Sequence, residues 1–225
     1  MIRWARLTWQ AEDPASLARD LARRLGIPSR SGGMVPRARL LDLGNALLEV
    51  RPWVREGPDD PPRRGGRLLL EPVPGGDADP QPAPGAPLHL LGLGWSTVEL
   101  GRAASELEPW LGPPAAGNPG SDPNLGATAV VRAAAGLPGD WTVLLEPATE
   151  GGAAASLARD GEGPCALYLR PALGLSAWLD GAREPRVGPF GRQVLLPGPF
   201  TGPFVIVTEG LEPAVEESPP GTIGG

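Results

Sequence analysis

One order of elements recurs three times in this sequence: a strand, then a helix, then two or three further strands. The first unit displays it most clearly. Residues 4–11 alternate polar and apolar side chains, as a strand with one apolar face does. Asp13, followed by proline, is a helix start, and leucines four residues apart predict an amphipathic helix over 14–25 that ends at Gly26. Further strands are predicted over 37–43, 46–51 and 67–72.

The second and third units repeat this order. The second is predicted to contain strand 90–100, helix 101–111 and strands 126–134 and 142–146. The third is predicted to contain a short helix over 150–160, strand 165–170, helix 174–182 and strands 193–196 and 204–208. Repetition on this scale indicates a fold built from modules.

The repeated units divide the chain into modules and connecting segments. Residues 73–87 are dominated by Pro, Gly, Asp and Ala, which is typical of a linker. The acidic end of the chain, rich in Pro and Gly, is predicted to be disordered. The predicted organisation is a first βαβββ module at 1–72, the linker at 73–87, a second module at 88–147, a linker helix with a third, shorter module at 148–210, and the tail at 211–225.

This order resembles the vicinal oxygen chelate superfamily, which includes glyoxalases, bleomycin-resistance proteins and extradiol dioxygenases. The nearest local likeness is to the methylmalonyl-CoA epimerase type. It lies at 142–169, where a strand ends in Leu-Glu-Pro and a short helix leads through Gly-Glu-Gly into a new strand. The segment 7–26 is similar to the family's first strand and helix. The resemblance implies an α+β fold with curled mixed or antiparallel sheets around a cup. Such a domain needs two modules, so the third is an addition or pairs across a homodimer.

The resemblance also implies where a metal would bind, on the first strand of each module. The corresponding positions are Arg6, Leu93 and Ala166, and none of these side chains ligates a divalent metal as imidazole does. The family's strand glutamate corresponds to Glu49 or Glu146, with the register open by one residue. We therefore predict no bound transition metal and no other cofactor, with a divalent metal on oxygen ligands as the alternative.

The strand faces turned away from the helices are the predicted lining of a small-molecule site. A mixture of aromatic and polar side chains suits a ligand pocket. The guanidinium of Arg6 could clamp a carboxylate or phosphate, so an anionic ligand is one expectation. Alternatively these faces are solvated, or Arg6 pairs with Glu49 or Glu99. The candidate ligand-binding residues are Trp4, Arg6, Thr8, Trp95, Glu99, Tyr168 and Arg170.

Three functions remain open at the level of sequence. The first is a glyoxalase-like protein that binds a small molecule and has lost the ancestral metal ligands, near the drug-binding resistance proteins. The second is an epimerase, lyase or dioxygenase with an atypical metal or none, in which Glu49 or Glu146 acts as a general base. The third is a structural protein whose cup is filled with side chains. A structural role is favoured over catalysis for each glutamate.

Composition excludes several other functions. The chain has a net charge of −6 and so lacks the excess of basic residues that nucleic-acid binding requires. No segment approaches the run of about 20 apolar residues that spans a membrane. A single Cys and a single His exclude a disulfide framework within the chain and a His-rich metal site. The first residues do not form a secretory signal, so a cytoplasmic location is predicted.

Overall fold

The structure is a computed structural model, and it describes the backbone of residues 6–32, 35–54, 66–71, 87–115, 120–179, 184–198 and 203–210. The side chain of Arg6 is not described. Trp4, almost all of the predicted linker and the predicted tail lie outside the described residues. The described elements form two sheets with three α-helices.

The first helix, α1 (Pro14–Leu25), forms where local sequence signals agree. The carboxylate of Asp13 accepts a hydrogen bond from the backbone N–H of Ser16 at 3.0 Å, which caps the first turn. Gly26 ends the helix in the left-handed conformation, with φ of 64°. Apolar residues recur every three or four positions and are buried against the first sheet. The predicted helix over 14–25 is confirmed.

The first sheet has five strands in the order β2-β3-β4-β1-β5. Their bounds are β1 (Arg6–Ala11), β2 (Ser29–Ser31), β3 (Arg39–Asp42), β4 (Leu47–Pro52) and β5 (Arg67–Glu71). β1 and β4 run parallel, with Leu7 beside Leu48. β5 runs antiparallel along the other edge of β1, with Thr8 beside Leu69. The first module thus has its first strand enclosed on both sides.

The second sheet follows the order β12-β13-β14-β11-β6-β10-β9-β7, with β8 paired to β9. Its strands are β6 (Leu88–Ser96), β7 (Leu111–Pro114), β8 (Gly120–Asp122), β9 (Ala127–Ala134), β10 (Trp141–Pro147), β11 (Gly163–Pro171), β12 (Arg186–Gly188), β13 (Gly191–Leu195) and β14 (Phe204–Thr208). The two other helices are α2 (Leu100–Glu106) and α3 (Gly152–Asp160). β6 and β11, the first strands of two modules, pair antiparallel at the centre of the sheet.

The pairing of β6 with β11 answers the question of how three modules combine. The second and third modules share one curled sheet, and the first module forms its own. The first sheet and α1 pack against the central strands of the second sheet, where one apolar core includes Leu7, Leu21, Leu93, Leu167 and Val205. The predicted α+β class, with repeated modules and curled mixed sheets, is confirmed.

Two helices are shorter than predicted. The helix predicted over 101–111 ends at Glu106, and a 3-10 turn follows over Glu108–Trp110, because Pro109 has no N–H to continue the α-helical ladder. The helix predicted over 174–182 is a single 3-10 turn at Leu175–Trp178. Sequence analysis also missed β2, β7, β8 and β12. These strands have only three or four residues each, too few for alternation to be recognised.

Candidate functional site

The face of the first sheet opposite α1 carries buried polar side chains. Thr8 and Gln10 on β1 have exposed fractions of 0% and 7%, and Glu49 on β4 has 1%. Thr8 lies beside Glu49 and Gln10 beside Arg51 in the parallel register, so these side chains share one face. We call this surface the polar face, comprising Thr8, Gln10, Glu49, Arg51 and Glu71.

An ion pair crosses the polar face. The guanidinium of Arg51 donates to both carboxylate oxygens of Glu71, with Nη1 at 3.1 Å from Oε2. The hydroxyl of Thr8 donates to the same Oε2 over 3.4 Å. The Nε–H of Arg51 is buried and has no hydrogen-bond partner among the described residues. A fork-shaped cation with one N–H left over is a group that can bind a further oxygen atom.

The corresponding face of the second sheet, turned away from α2, is packed with side chains. Ala166, Tyr168 and Ile206 are each 0% exposed there. Phe190 belongs to the same buried cluster, and its ring packs against that of Tyr168 in a T-shaped arrangement with the ring centroids 5.3 Å apart. Gly94 is required by this packing, since a Cβ at that position would lie 2.8 Å from the Cβ of Ala166. We call this surface the filled face.

One buried carboxylate organises the polar groups of the filled face. Asp122, at the end of β8, is completely buried. Its Oδ2 accepts from the hydroxyl of Tyr168 at 2.6 Å. Its Oδ1 accepts from Nε2 of Gln193 at 2.9 Å and from two backbone N–H groups, those of Asn124 and Leu125. Burial, together with the Asp122 charge and hydrogen bond, raises the pKa of Tyr168 well above its ordinary value. Tyr168 is therefore a neutral donor locked in the core.

Tyr168, one of the predicted ligand-binding residues, therefore lies in the filled face and not on the polar face. Three further predicted residues, Trp95, Glu99 and Arg170, also lie apart from the polar face. The predicted placement of Trp95 is wrong: it packs with Leu107 and Leu144 on the α2 side of the second sheet. The reason is that β6 ends at Ser96, so alternation cannot be extended from Trp95 to Glu99, which is exposed at the start of α2. Arg170 lies near the C-terminal end of β11, where the aliphatic part of its side chain packs against Gly210. The seven candidates therefore do not line one cup.

The residues at the implied metal positions do not fit a metal centre. Leu93 and Ala166 offer no ligand atom, and they are buried on opposite faces of the second sheet. The carboxylate of Glu146 lies on the α2 side, where it accepts from the backbone N–H of Leu100 at 3.0 Å and so caps that helix. No three His, Cys, Asp or Glu side chains converge as ligands within the described residues. The expected absence of a metal stays a prediction, and so does the catalytic role of Glu49.

The Gly-Glu-Gly segment that carries part of the family resemblance has a structural role here. Glu162 accepts from the Thr97 hydroxyl at 2.6 Å, from the Val98 backbone N–H at 2.7 Å and from the Arg102 guanidinium. Hydrogen bonds from Arg102 first, then from Thr97 and Val98, lower the pKa of Glu162 to about 2. This carboxylate fastens the connection between β6 and α2 to the start of β11.

The single Cys and the single His are also accounted for by structure. Cys165 is buried in the filled face, and burial raises the pKa of its thiol to about 12, which removes it as a nucleophile at neutral pH. His89 contacts Asp140 through Nε2 at 2.6 Å and Asn45 at 3.1 Å. Asn45 also bonds the backbone of Leu90, so this cluster joins a turn of the first sheet to β6.

Sequence analysis missed Arg51 as a site residue, and a signal for it exists. The strand order β2-β3-β4-β1 places β4 parallel beside β1. Glu49 and Arg51, two residues apart on β4, therefore share a face with Thr8 and Gln10. Asp122 was missed as well. Its Tyr168 partner is 46 residues away, a distance over which no local pattern operates.

The two sheets define a class of protein: an α+β fold of βαβββ modules, two of which pair through their first strands. No protein-family model and no curated protein sequence matches this chain. In the part of the chain that the structure describes, no helix is long and apolar enough to cross a bilayer.

Solved structures with a similar arrangement include two methylmalonyl-CoA epimerases. The Streptomyces coelicolor enzyme in complex with 2-nitronate-propionyl-CoA is 16% identical, with a TM-score of 0.42, and the match covers 53% of this chain and 96% of the epimerase. The Mycobacterium tuberculosis enzyme is 18% identical, with a TM-score of 0.44 over 53% of this chain and 85% of its own.

A third similar structure is a mutant of 4-hydroxymandelate synthase from Streptomyces coelicolor. It is 17% identical, with a TM-score of 0.37, and the match covers 90% of this chain and 68% of the synthase. Two of these three structures are methylmalonyl-CoA epimerases, the type named in the sequence resemblance. At these identities the likeness concerns the arrangement of elements and says nothing about activity.

Proposed function

We propose that the protein binds a small molecule on the polar face of the first sheet and does so without a metal. The observation that carries the proposal is the buried Nε–H of Arg51, which has no acceptor among the described residues. A buried donor left without an acceptor costs about 1–3 kcal/mol. An oxygen atom of a ligand would remove that cost.

The chemistry of the polar face favours a ligand with anionic oxygen. The carboxylate of Glu71 already occupies the two Nη groups of Arg51, so the ligand would approach the Nε edge. Thr8 and Gln10 place a hydroxyl and an amide on the same face. A carboxylate or phosphoryl oxygen takes charge-assisted hydrogen bonds from a guanidinium, which are roughly twice as strong as neutral ones.

A thermal-shift screen of carboxylates and acyl phosphates tests this proposal. We expect at least one compound to raise the melting temperature of the wild type. Arg51→Met should abolish that rise, and Arg51→Lys should reduce it, because lysine keeps the charge and loses the fork. Arg192→Met is the control, since Arg192 also pairs with a glutamate, Glu209 at 3.1 Å, but lies on the second sheet and is more exposed than Arg51. Loss of the rise in the control as well would contradict a site at Arg51.

Arg6 keeps its own prediction. If it contacts the ligand, Arg6→Met and Arg6→Lys should both weaken binding, Met more than Lys, by roughly 1.5–3 kcal/mol. If it instead neutralises Glu49, Arg6→Met should lower the free energy of unfolding and leave ligand affinity as it was. Elemental analysis after dialysis against a chelator checks the metal-free part of the proposal. About one transition metal per chain would contradict it.

The filled face supports a second candidate, a structural function. The cup between the second and third modules holds Phe190, Tyr168 and Ile206 where a ligand would lie. A protein of this kind would have a structural role and would bind no small molecule in the cup. No stabilisation by any anion, together with a lower melting temperature of Arg51→Met, would favour this candidate over small-molecule binding.

A further inference from the structure

A cavity of about 170 Å³ lies away from both the polar face and the centre of the filled face. It is found where α1 of the first module meets β13 and β14 of the third. Its walls are mainly apolar and include Trp9, Leu17, Leu21, Leu196, Phe204 and Val205. An engineered apolar cavity of roughly 150 Å³ in another protein stays dry and binds benzene. This cavity therefore has room for one substituted benzene ring.

One polar side chain among the walls has an unused donor. Asn124 lines the cavity, and its Nδ2 is buried with no hydrogen-bond partner among the described residues. Its backbone N–H donates to Oδ1 of Asp122 at 2.9 Å, which fixes the residue in place. A buried amide donor without an acceptor is a cost that a ligand carbonyl would relieve.

The charges at the rim of the cavity are already paired. Nε of Arg24 lies 2.7 Å from Asp20 on the same helix, and the guanidinium also donates to the carbonyl of Pro197. A charged ligand would therefore find no free opposite charge on the described walls. A neutral ligand suits these walls.

We infer that this cavity binds a compact, neutral, apolar molecule that carries one hydrogen-bond acceptor, of the class of a simple aromatic ketone. Its ring would fill the space between α1 and the strands, and its carbonyl oxygen would accept from Nδ2 of Asn124. Because the walls come from both sheets, the bound molecule would tie the first module to the third. This site differs in place and in ligand chemistry from the polar face, and it does not depend on the proposed function.

Acetophenone and isopropylbenzene test the inference, since they have the same number of heavy atoms and only the first has a carbonyl. We expect both to cause saturable changes in the methyl NMR signals of Leu17, Leu21, Leu196 and Val205. Acetophenone should bind roughly three- to tenfold more tightly, as one neutral hydrogen bond allows. Asn124→Leu should lose the preference for acetophenone, because the buried carbonyl would then have no donor. Unchanged preference for acetophenone in Asn124→Leu would overturn the role of Asn124.

Two blocking variants test the location. Leu17→Phe and Leu196→Phe each add volume from an opposite wall, and either one that retains a cooperative melting transition should lose binding of both compounds. Arg51→Met should bind both compounds as the wild type does, which separates this test from that of the polar face. No saturable change with either compound in the wild type, or changes centred on residues outside the cavity, would overturn the inference.

Discussion

The two sheets carry different kinds of side chain on equivalent faces. Each has a face that turns away from the helix following its first strand. In the first sheet this face holds Thr8, Glu49 and an Arg–Glu pair. In the second it holds Ala166 and Tyr168 under the ring of Phe190. A module can therefore keep its fold whether this face is polar or packed, so the fold alone does not determine binding.

The difference has a physical basis in the first strands. β6 carries glycines at 92 and 94, and a Cβ at either position would crowd a ring or a methyl group of the filled face. β1 carries Thr8 and Gln10 on the face of the first sheet that is turned away from α1. Small residues let neighbouring side chains close over the strand, whereas polar ones need hydrogen-bond partners. Substitutions on the two faces should consequently have different effects.

The largest effect is expected at the buried carboxylate of the filled face. Asp122→Ala should lower the free energy of unfolding by about 3–5 kcal/mol, because two side-chain donors and two backbone N–H groups lose their acceptor. Tyr168→Phe removes only one of these bonds and should cost about 1–2 kcal/mol. Urea unfolding curves measure both. Equal small losses would mean that solvent reaches the filled face.

The next largest effect tests how full this face is. Gly94→Ala should cost about 1–3 kcal/mol, because the added methyl group would lie 2.8 Å from the Cβ of Ala166. Gly101→Ala is the control, since a Cβ at Gly101 meets no atom within 4 Å. Thermal unfolding of the two variants gives the comparison. A neutral Gly94→Ala would contradict close packing.

On the polar face we expect a smaller loss of stability. Glu71→Gln should lower the free energy of unfolding by about 1 kcal/mol or less, because the Arg51–Glu71 pair is partly exposed. Glu209→Gln, which weakens the Arg192 pair, serves as the reference. A loss of several kcal/mol at Glu71 would show that the Arg51–Glu71 pair behaves as a fully buried ion pair and would contradict the expected difference between the two faces.

The smallest effect concerns pH and the Gly-Glu-Gly segment. The pKa of Glu162 is lowered from 4.5 to about 2, so the ionised form is stabilised in the folded protein. Its contribution is present above pH 4.5 and is lost as the pH falls toward 2. Glu162→Gln should flatten the dependence of stability on pH in this window. Glu106→Gln, on the same Arg102 at 2.9 Å, should leave the dependence steep.

Local signals predicted the first module well. Asp13, the leucine spacing and Gly26 act over a few residues, and the helix they predict has the bounds Pro14–Leu25. The face of Trp95 could not be obtained in this way, because it depends on where β6 ends. The filling of the cup depends on Phe190, which reaches β6 from a turn almost 100 residues further along the chain. Contacts at such separations follow from tertiary packing rather than from local pattern.

The polar face was predicted in part. Thr8 and Glu49 are neighbours in the sheet, and both were predicted as site residues. The prediction placed ligand-binding residues on the first strands of all three modules, without distinguishing the first module from the others. Which module stays polar depends on what packs above each strand. Strand alternation alone does not contain that information, since it describes two faces without saying which one is covered.

The strand β5 has a consequence for the pairing of β1. β6 obtains its antiparallel neighbour from another module, while β1 obtains one from five residues of its own segment, Arg67–Glu71. An unshielded strand edge invites association with other chains. β5 takes the edge position that β1 would otherwise occupy, so the first strand of the first module is paired on both sides by its own module. One short strand within the same module can therefore occupy the position that a strand of a second module occupies beside β6.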